Sequence, residues 1–416
     1  MVGRVIICGL LFSMNVAGQE VETTDSMYVQ GSVSVQDSTK TLMGRLRQLQ
    51  AFLDKKAKKK VDPNYIEVPD KPWRVMLRYK ASMVQVDYDN SMVEPNAPQN
   101  RLDWNLCFKP PVAASVGFLV GYRGTSLSYS FPITKKSGRH FSISSTGAKY
   151  GFNFRLRRFS TDETTFSTKL TLDGKTVDQY SEESHMPSAV WIRSVYVNGY
   201  YVFNGRRYSQ AAAYNQSVIQ RRSAGSFLVG ATWYQSSFDY SDMENERIMF
   251  FGNNVNRIKL HQANIGVGYG FNWVPVRGLV VNLMAMPTVS VYNRVKVYKY
   301  KSNFDFFGAP DSEDYGTWNP ETHKWANGKE QKPLEMAMNE SNDFEWLDEL
   351  ELWGNEEDVT YSMMKLNVDL RMGIAYNWKN WFTSAQAQFN NFYYSKDECN
   401  VNLFDAYARF TLGVRF

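Results

Sequence analysis

The residues from Tyr407 to Phe416 alternate without a break, with Ala408, Phe410, Leu412, Val414 and Phe416 on one face and Tyr407, Arg409, Thr411, Gly413 and Arg415 on the other. A period of two specifies a strand. A strand that ends on an aromatic carboxy terminus is the closing element of bacterial outer-membrane barrels, so this segment constrains the fold more than any other. A soluble strand can alternate as well. What favours a barrel is recurrence: from Met364 to Trp378 the apolar Leu366, Val368, Leu370, Met372, Ile374 and Tyr376 oppose Lys365, Asn367, Asp369, Arg371, Gly373 and Asn377.

From Trp73 onward, twelve such segments can be read, near residues 73–82, 114–122, 127–131, 148–156, 166–172, 195–203, 227–238, 263–271, 279–291, 364–378, 381–393 and 407–416. The connections alternate long and short, among them a tight turn at Arg123-Gly124 and a short turn at 159–162; only the connection at 204–222 breaks the parity. An all-β, antiparallel transmembrane β-barrel of about twelve strands (about 10–14), with both ends in the periplasm, is the predicted fold.

The amino terminus supplies an export signal for the bacterial outer membrane of a Gram-negative envelope. Residues 1–18 carry Arg4, the apolar run 5–12 and the small-residue site Val16-Ala17-Gly18. That run is too short to span a bilayer as a helix. Cleavage would remove Cys8 and leave Cys107 and Cys399, both near outward loops, as either a disulfide or two free thiols. A net charge of +5 is nearly neutral and carries no nucleic-acid footprint. The 43% hydrophobic content, with 25 Tyr, 26 Phe and 11 Trp, suits a lipid-facing band with aromatic girdles.

Residues 19–72 read as a periplasmic arm. Leu42, Leu46, Leu49 and Leu53 mark one face of a short amphipathic helix, followed by Lys55, Lys56, Lys58, Lys59 and Lys60. The arm could dock on the barrel, a partner or anionic lipid, or serve as a solvated tether.

Three stretches carry a family resemblance: 208–217 continuing into 220–227, 62–67 ahead of the first strand, and Gly121-Tyr122-Arg123-Gly124 with Leu127 and Phe131. From about residue 61 to the end the chain resembles a bacterial family known as domain of unknown function 4421. The resemblance implies an outer-membrane β-barrel and brings no activity, cofactor or catalytic residue with it. The long insertion at 301–360 departs from the family pattern.

If the apolar faces meet lipid, the opposite faces line a lumen with Arg74, Arg78, Lys80, Lys149, Arg155, Arg157, Lys169, Lys365, Arg371, Arg409 and Arg415 against Asp369 alone. A wet cationic lumen favours anions, and a dry one demands acidic partners. Alternatively, some of these side chains reach water or lipid phosphate from the strand ends. The insertion could supply the acids: residues 311–358 hold 15 Asp and Glu with Trp318, Trp325, Phe344, Trp346 and Trp353, and would form a plug or an exposed surface loop. Their spacing matches no EF-hand.

His140-Phe141-Ser142 has the His-x-Ser spacing of outer-membrane phospholipases, but Phe141 and Ile143 look lipid-facing and would turn the pair inward. No metal or phosphate-binding motif accompanies it, so no cofactor is expected. The expected function is a non-enzymatic channel or solute-binding barrel; the alternatives are a structural or partner-binding component and an acyl hydrolase. Expected partners are outer-membrane lipid, the barrel-assembly machinery through the last strand, and an unidentified periplasmic or surface protein.

Overall fold

The computed structural model describes residues 61–416 except 95–96, 109–111, 134–137, 303–317, 320–323, 326–349, 363 and 397–398, together with Gly44, Gln48 and 50–54. The expected signal peptide, the arm's Leu42, Leu46 and Leu49 with its lysine cluster, and most of the acidic insertion lie outside the described residues. The chain divides into two units, Met1–Ala51 and Phe52–Phe416, and the second contains the barrel.

Twelve strands form the ring: β1 (Trp73–Glu94), β2 (Ala113–Tyr122), β3 (Thr125–Pro132), β4 (Arg139–Thr146), β5 (Tyr150–Leu172), β6 (Lys175–Val202), β7 (Ala224–Asp239), β8 (Val255–Trp273), β9 (Leu279–Ser302), β10 (Leu366–Trp378), β11 (Trp381–Lys396) and β12 (Cys399–Arg415). Each pairs antiparallel with its neighbours in sequence. The closing strand behaves as its alternation requires. β12 pairs with β1 from Asn400↔Asp89 to Arg415↔Arg74, and the backbones of Phe416 and Trp73 exchange hydrogen bonds of 3.1 and 3.2 Å. Closure leaves no open edge, the condition for strands to cross lipid.

The count of twelve agrees with expectation, yet two assignments differ. Segments 148–156 and 166–172 are one strand, β5, so no turn exists at 159–162. The β5–β6 hairpin instead turns at Asp173-Gly174, both at positive φ (49° and 70°), a turn an Asp-Gly pair accommodates without strain. Conversely β4 was read as a connection, because only Phe141 and Ile143 give it an apolar face.

The outward face is an apolar belt. On β10, Leu366, Val368, Leu370, Met372, Ile374, Tyr376 and Trp378 are all exposed, while Asn367, Asp369 and Arg371 are buried. Exposed Trp73, Trp273, Trp378 and Trp381 gather at strand ends on the one rim that carries the seam termini, an interfacial girdle there. No helix among the described residues is long and apolar enough to cross a membrane.

Beyond the belt the pattern inverts. In β1, Val75, Leu77 and Tyr79 face out and Arg74 and Arg78 in, but further along Val84, Val86 and Tyr88 are the buried side chains. They join Trp104, Leu106, Ile192, Tyr234, Phe238, Leu260, Phe392 and Leu403 in one apolar cluster filling the outer half of the interior. Tyr234 of β7 and Phe392 of β11 stack across the barrel with ring centroids 4.1 Å apart. Two further strands wall this outer region: Ala97–Phe108 bridges β1 and β5 above the short β2 to β4, and Leu352–Tyr361 pairs with the outer part of β9.

No disulfide joins Cys107 and Cys399. Cys399 packs against the interior cluster beside Tyr88, whereas Cys107 faces Gln85 on the outward face, 3.8 Å from its amide. The two thiols lie on opposite faces of the barrel wall, and the disulfide that was one of the two expectations is not formed in the structure.

Candidate functional site

The site is built where the parity of connections breaks. After β6 the chain re-enters the mouth of the barrel at the end carrying both strand termini of the closing seam, which is the periplasmic end of such barrels. There it forms a short helix, α1 (Gln210–Tyr214), whose Gln210, Ala211, Ala212 and Ala213 are buried. Three alanines let the backbone lie close to the strands, but a five-residue helix leaves most of its carbonyls without internal partners. Side chains from the wall supply them. Gln386 donates to the carbonyls of Ala213 (2.9 Å) and Tyr214 (3.1 Å), and Arg409 donates to Tyr214 at 3.1 Å. Arg415 donates to the carbonyl of Gln216 at 2.9 Å, and the Tyr214 hydroxyl donates to Asn282 at 2.5 Å.

The other two motif stretches meet this segment. Ile66 and Glu67 pair with Gln220 and Ile219, and Arg221 forms an ion pair of 2.8 Å with Glu67. Asn215 donates to the carbonyl of Gly124 at 3.3 Å. Arg123 bridges Asp54, 2.6 Å away, and the carbonyl of Pro69 at 2.7 Å. Asp54 lies in helical backbone one residue beyond Leu53, so the end of the expected arm helix contacts the barrel. Residues 200 positions apart in sequence thus compose a single seal across the periplasmic mouth.

Between this seal and the apolar cluster lies a cavity of about 90 Å³. Arg78, Lys80, Arg155, Arg157, Arg371 and Arg409 line it, with His140, Gln210 and Tyr407. Two of these cations have carboxylates: Arg157 reaches across to Asp405 at 2.6 Å, and Arg371 pairs with Asp369 at 2.5 Å while donating to Asn198 at 3.1 Å. Arg78, Lys80, Arg155 and Arg409 have no carboxylate partner among the described residues. Arg155 lies over the rings of Tyr196 (3.9 Å) and Tyr407 (4.9 Å), and none of its three nitrogens has a hydrogen-bond acceptor. Nε of Arg78, Nη1 of Arg157, Nε of Arg409 and both amide atoms of Gln210 are buried and unpartnered too.

Of the expected lumen cations, the structure brings together Arg78, Lys80, Arg155, Arg157, Arg371 and Arg409 around the cavity, and places Arg74 and Arg415 buried nearer the mouth. Three lie elsewhere. Lys149 sits in the β4–β5 turn over the outward ring of Tyr201 (5.9 Å), Lys169 is exposed far out on β5, and Lys365 precedes β10 against Tyr393 (5.7 Å). An irregularity in β5 between Thr161 and Glu163 shifts the parity and turns Lys169 outward, and Lys149 and Lys365 precede their strands, where alternation does not hold.

Asp405 was missed, though it shares the inward face of Tyr407 and Arg409 two residues upstream. The described acids of the insertion do not enter the interior. Glu356 and Glu357 pair with Lys301 and Lys296 on outer β9.

His140 and Ser142 both face the cavity, as the lipid-facing Phe141 and Ile143 implied. Nδ1 of His140 lies 3.4 Å from Nζ of Lys80, and no hydrogen bond joins His140 to Ser142. The described residues hold no group of His, Cys, Asp or Glu arranged for a metal ion.

A closed antiparallel ring with an apolar belt outside, filled and stoppered within, defines a transmembrane β-barrel of the outer-membrane class. Within that class the chain belongs to the family described as Domain of unknown function (DUF4421), whose model matches residues 60–416. No curated protein matches the chain. Among solved structures it is similar to the outer membrane protease OmpT from Escherichia coli (9% identity, 84% of this chain and 97% of that one, TM-score 0.40). It is also similar to the translocator domain of the autotransporter NalP from Neisseria meningitidis (9%, 92% and 98%, TM-score 0.25) and to the COG4313 outer membrane channel from Pseudomonas putida F1 (10%, 85% and 99%, TM-score 0.28).

Proposed function

We propose that the protein is a non-enzymatic, solute-binding barrel of the outer membrane whose chamber opens toward the periplasm when the Ser209–Ser217 segment moves, and that it is not a passive channel. The observation carrying this reading is the pair of cross-barrel closures, Tyr234 on Phe392 outside and α1 within the mouth, with the cationic chamber between them. An open pore needs a continuous wet path, and the outer cluster offers a dry one instead. A hydrolase at Ser142 would need its hydroxyl bonded to an imidazole and access for lipid; His140 instead meets Lys80, and both side chains face the closed interior.

A second reading has its own support. The convergence of the three motif stretches on the periplasmic end makes a composite surface, with exposed Arg206, Arg221 and Arg222, on which a partner could dock. Assembly through the β12 seam by the barrel-assembly machinery belongs to either reading.

Liposomes containing the purified chain test the first. Swelling in small sugars and amino acids should match empty liposomes; swelling at porin rates would refute a closed, solute-binding barrel.

A further inference from the structure

We infer that the chamber is a binding site for one small tetrahedral oxyanion, of the phosphate and sulfate class, held by Arg155 with Arg78, Lys80 and Arg409 and completed by Gln210 of the seal. This rests on the solute-binding reading above and names its ligand.

Charge is the first ground. Arg157 and Arg371 pair with Asp405 and Asp369, so that, although Asp405 also lies near Lys80 and Arg155, the remaining four cations have no carboxylate in ion-pair contact among the described residues. Buried charge without a counter-charge is strongly unfavourable, and four cations around one space favour a multivalent anion between them. A halide would leave most of that charge unanswered.

Donor geometry is the second. Arg155 is 9% exposed and presents all its guanidinium nitrogens without an acceptor. Its guanidinium carbon lies over the rings of Tyr196 and Tyr407, which leaves its N–H donors, all in the guanidinium plane, to meet a ligand. In-plane forks match oxyanions carrying two or more oxygens. Free donors on Arg78, Arg157 and Arg409 surround the same space, and Gln210, 3% exposed, adds an unused amide.

Size is the third. On this measure one water needs about 10–15 Å³, so about 90 Å³ holds on the order of six water-sized sites. A five-atom oxyanion with a bridging water fits; a nucleotide or an acylated lipid does not. Because Gln210 belongs to α1 and Arg409 also holds the Tyr214 carbonyl, an anion in the chamber would tie the seal to the wall.

The test uses the full chain refolded into detergent separately with phosphate, sulfate, chloride or acetate, then desalted and assayed by ion chromatography. Folding is scored by heat-modifiable gel mobility. Wild type should retain about one phosphate or sulfate per barrel and gain unfolding temperature from it. Arg155→Gln should lower retention at least tenfold, while Arg158→Gln, on the outward face of the same strand, should not. Gln210→Glu keeps the packing and supplies an internal carboxylate, so it should fold, lose anion retention and unfold at a temperature independent of phosphate. Retention of chloride or acetate in place of phosphate and sulfate would overturn the oxyanion class and leave solute binding standing. Retention of none of the four would overturn both. Equal phosphate retention by wild type and Gln210→Glu would place the anion elsewhere and overturn this site.

Discussion

Arg157 on β5 and Asp405 on β12 meet across the barrel interior, with both carboxylate oxygens accepting from one guanidinium nitrogen at 2.6 and 2.7 Å. Both side chains are buried. Removing one partner from such a pair costs about 3–5 kcal/mol, since the other charge stays behind. Asp405→Asn should therefore destabilise the barrel by about that much in urea titrations of the detergent-folded protein. The double variant Arg157→Met with Asp405→Asn should recover a good part of the loss, because it removes the stranded charge.

The outer stopper should be energetically dominated by its aromatic stack. Phe392 lies 4.1 Å from Tyr234 and is buried with the rest of the cluster. Phe392→Ala deletes the stack and opens a cavity, at a cost of about 3–5 kcal/mol. The expected signature is a lower unfolding temperature with the β-sheet circular dichroism of the folded barrel unchanged.

The seal depends on Gln386. Its amide satisfies two carbonyls of the Ser209–Ser217 segment, and its oxygen accepts from Arg409. Gln386→Ala leaves those groups unmatched in a buried site, about 1–3 kcal/mol against the sealed conformation. Limited trypsin digestion of reconstituted protein should then cut faster at Arg206, Arg207 or Arg221, with the transmembrane strands still protected.

Cys399 gives a pH test at the outer hairpin, beyond the belt. Burial pushes its thiol up to about 11. The neutral form is the one stabilised, so the thiolate appears only as pH rises toward that value. At pH 8 about one thiol in a thousand is ionised, and alkylation by iodoacetamide should be correspondingly slow in the folded protein and fast once it is unfolded. Rapid alkylation of folded protein at pH 8 would show that Cys399 is not buried against Tyr88.

The lipid-facing half of this architecture was readable because a bilayer imposes one rule on every second residue. β10 obeys it over its whole length and β12 from Tyr407 onward, and the sequence shows it. The stopper was not readable in the same way. Val84, Val86 and Tyr88 continue β1 with the phase inverted, so they read as the start of a loop, although the inversion itself marks where the strand leaves the membrane. Helix α1 offers no amphipathic pattern, since Ala211, Ala212 and Ala213 are buried against polar side chains; the broken parity of the connection and the family resemblance are what mark that stretch. The cationic interior was visible residue by residue, but its neutralisation was not. Asp405 lies 248 residues from Arg157, and only the ring brings them together.

Single-channel recording in planar bilayers tests the sealed barrel most directly. Wild type should stay silent at both polarities, and a chain carrying both Phe392→Ala and Gln386→Ala should show anion-selective openings as the two closures loosen. Steady anion-selective conductance from the wild-type protein would contradict a closed interior and restore the channel.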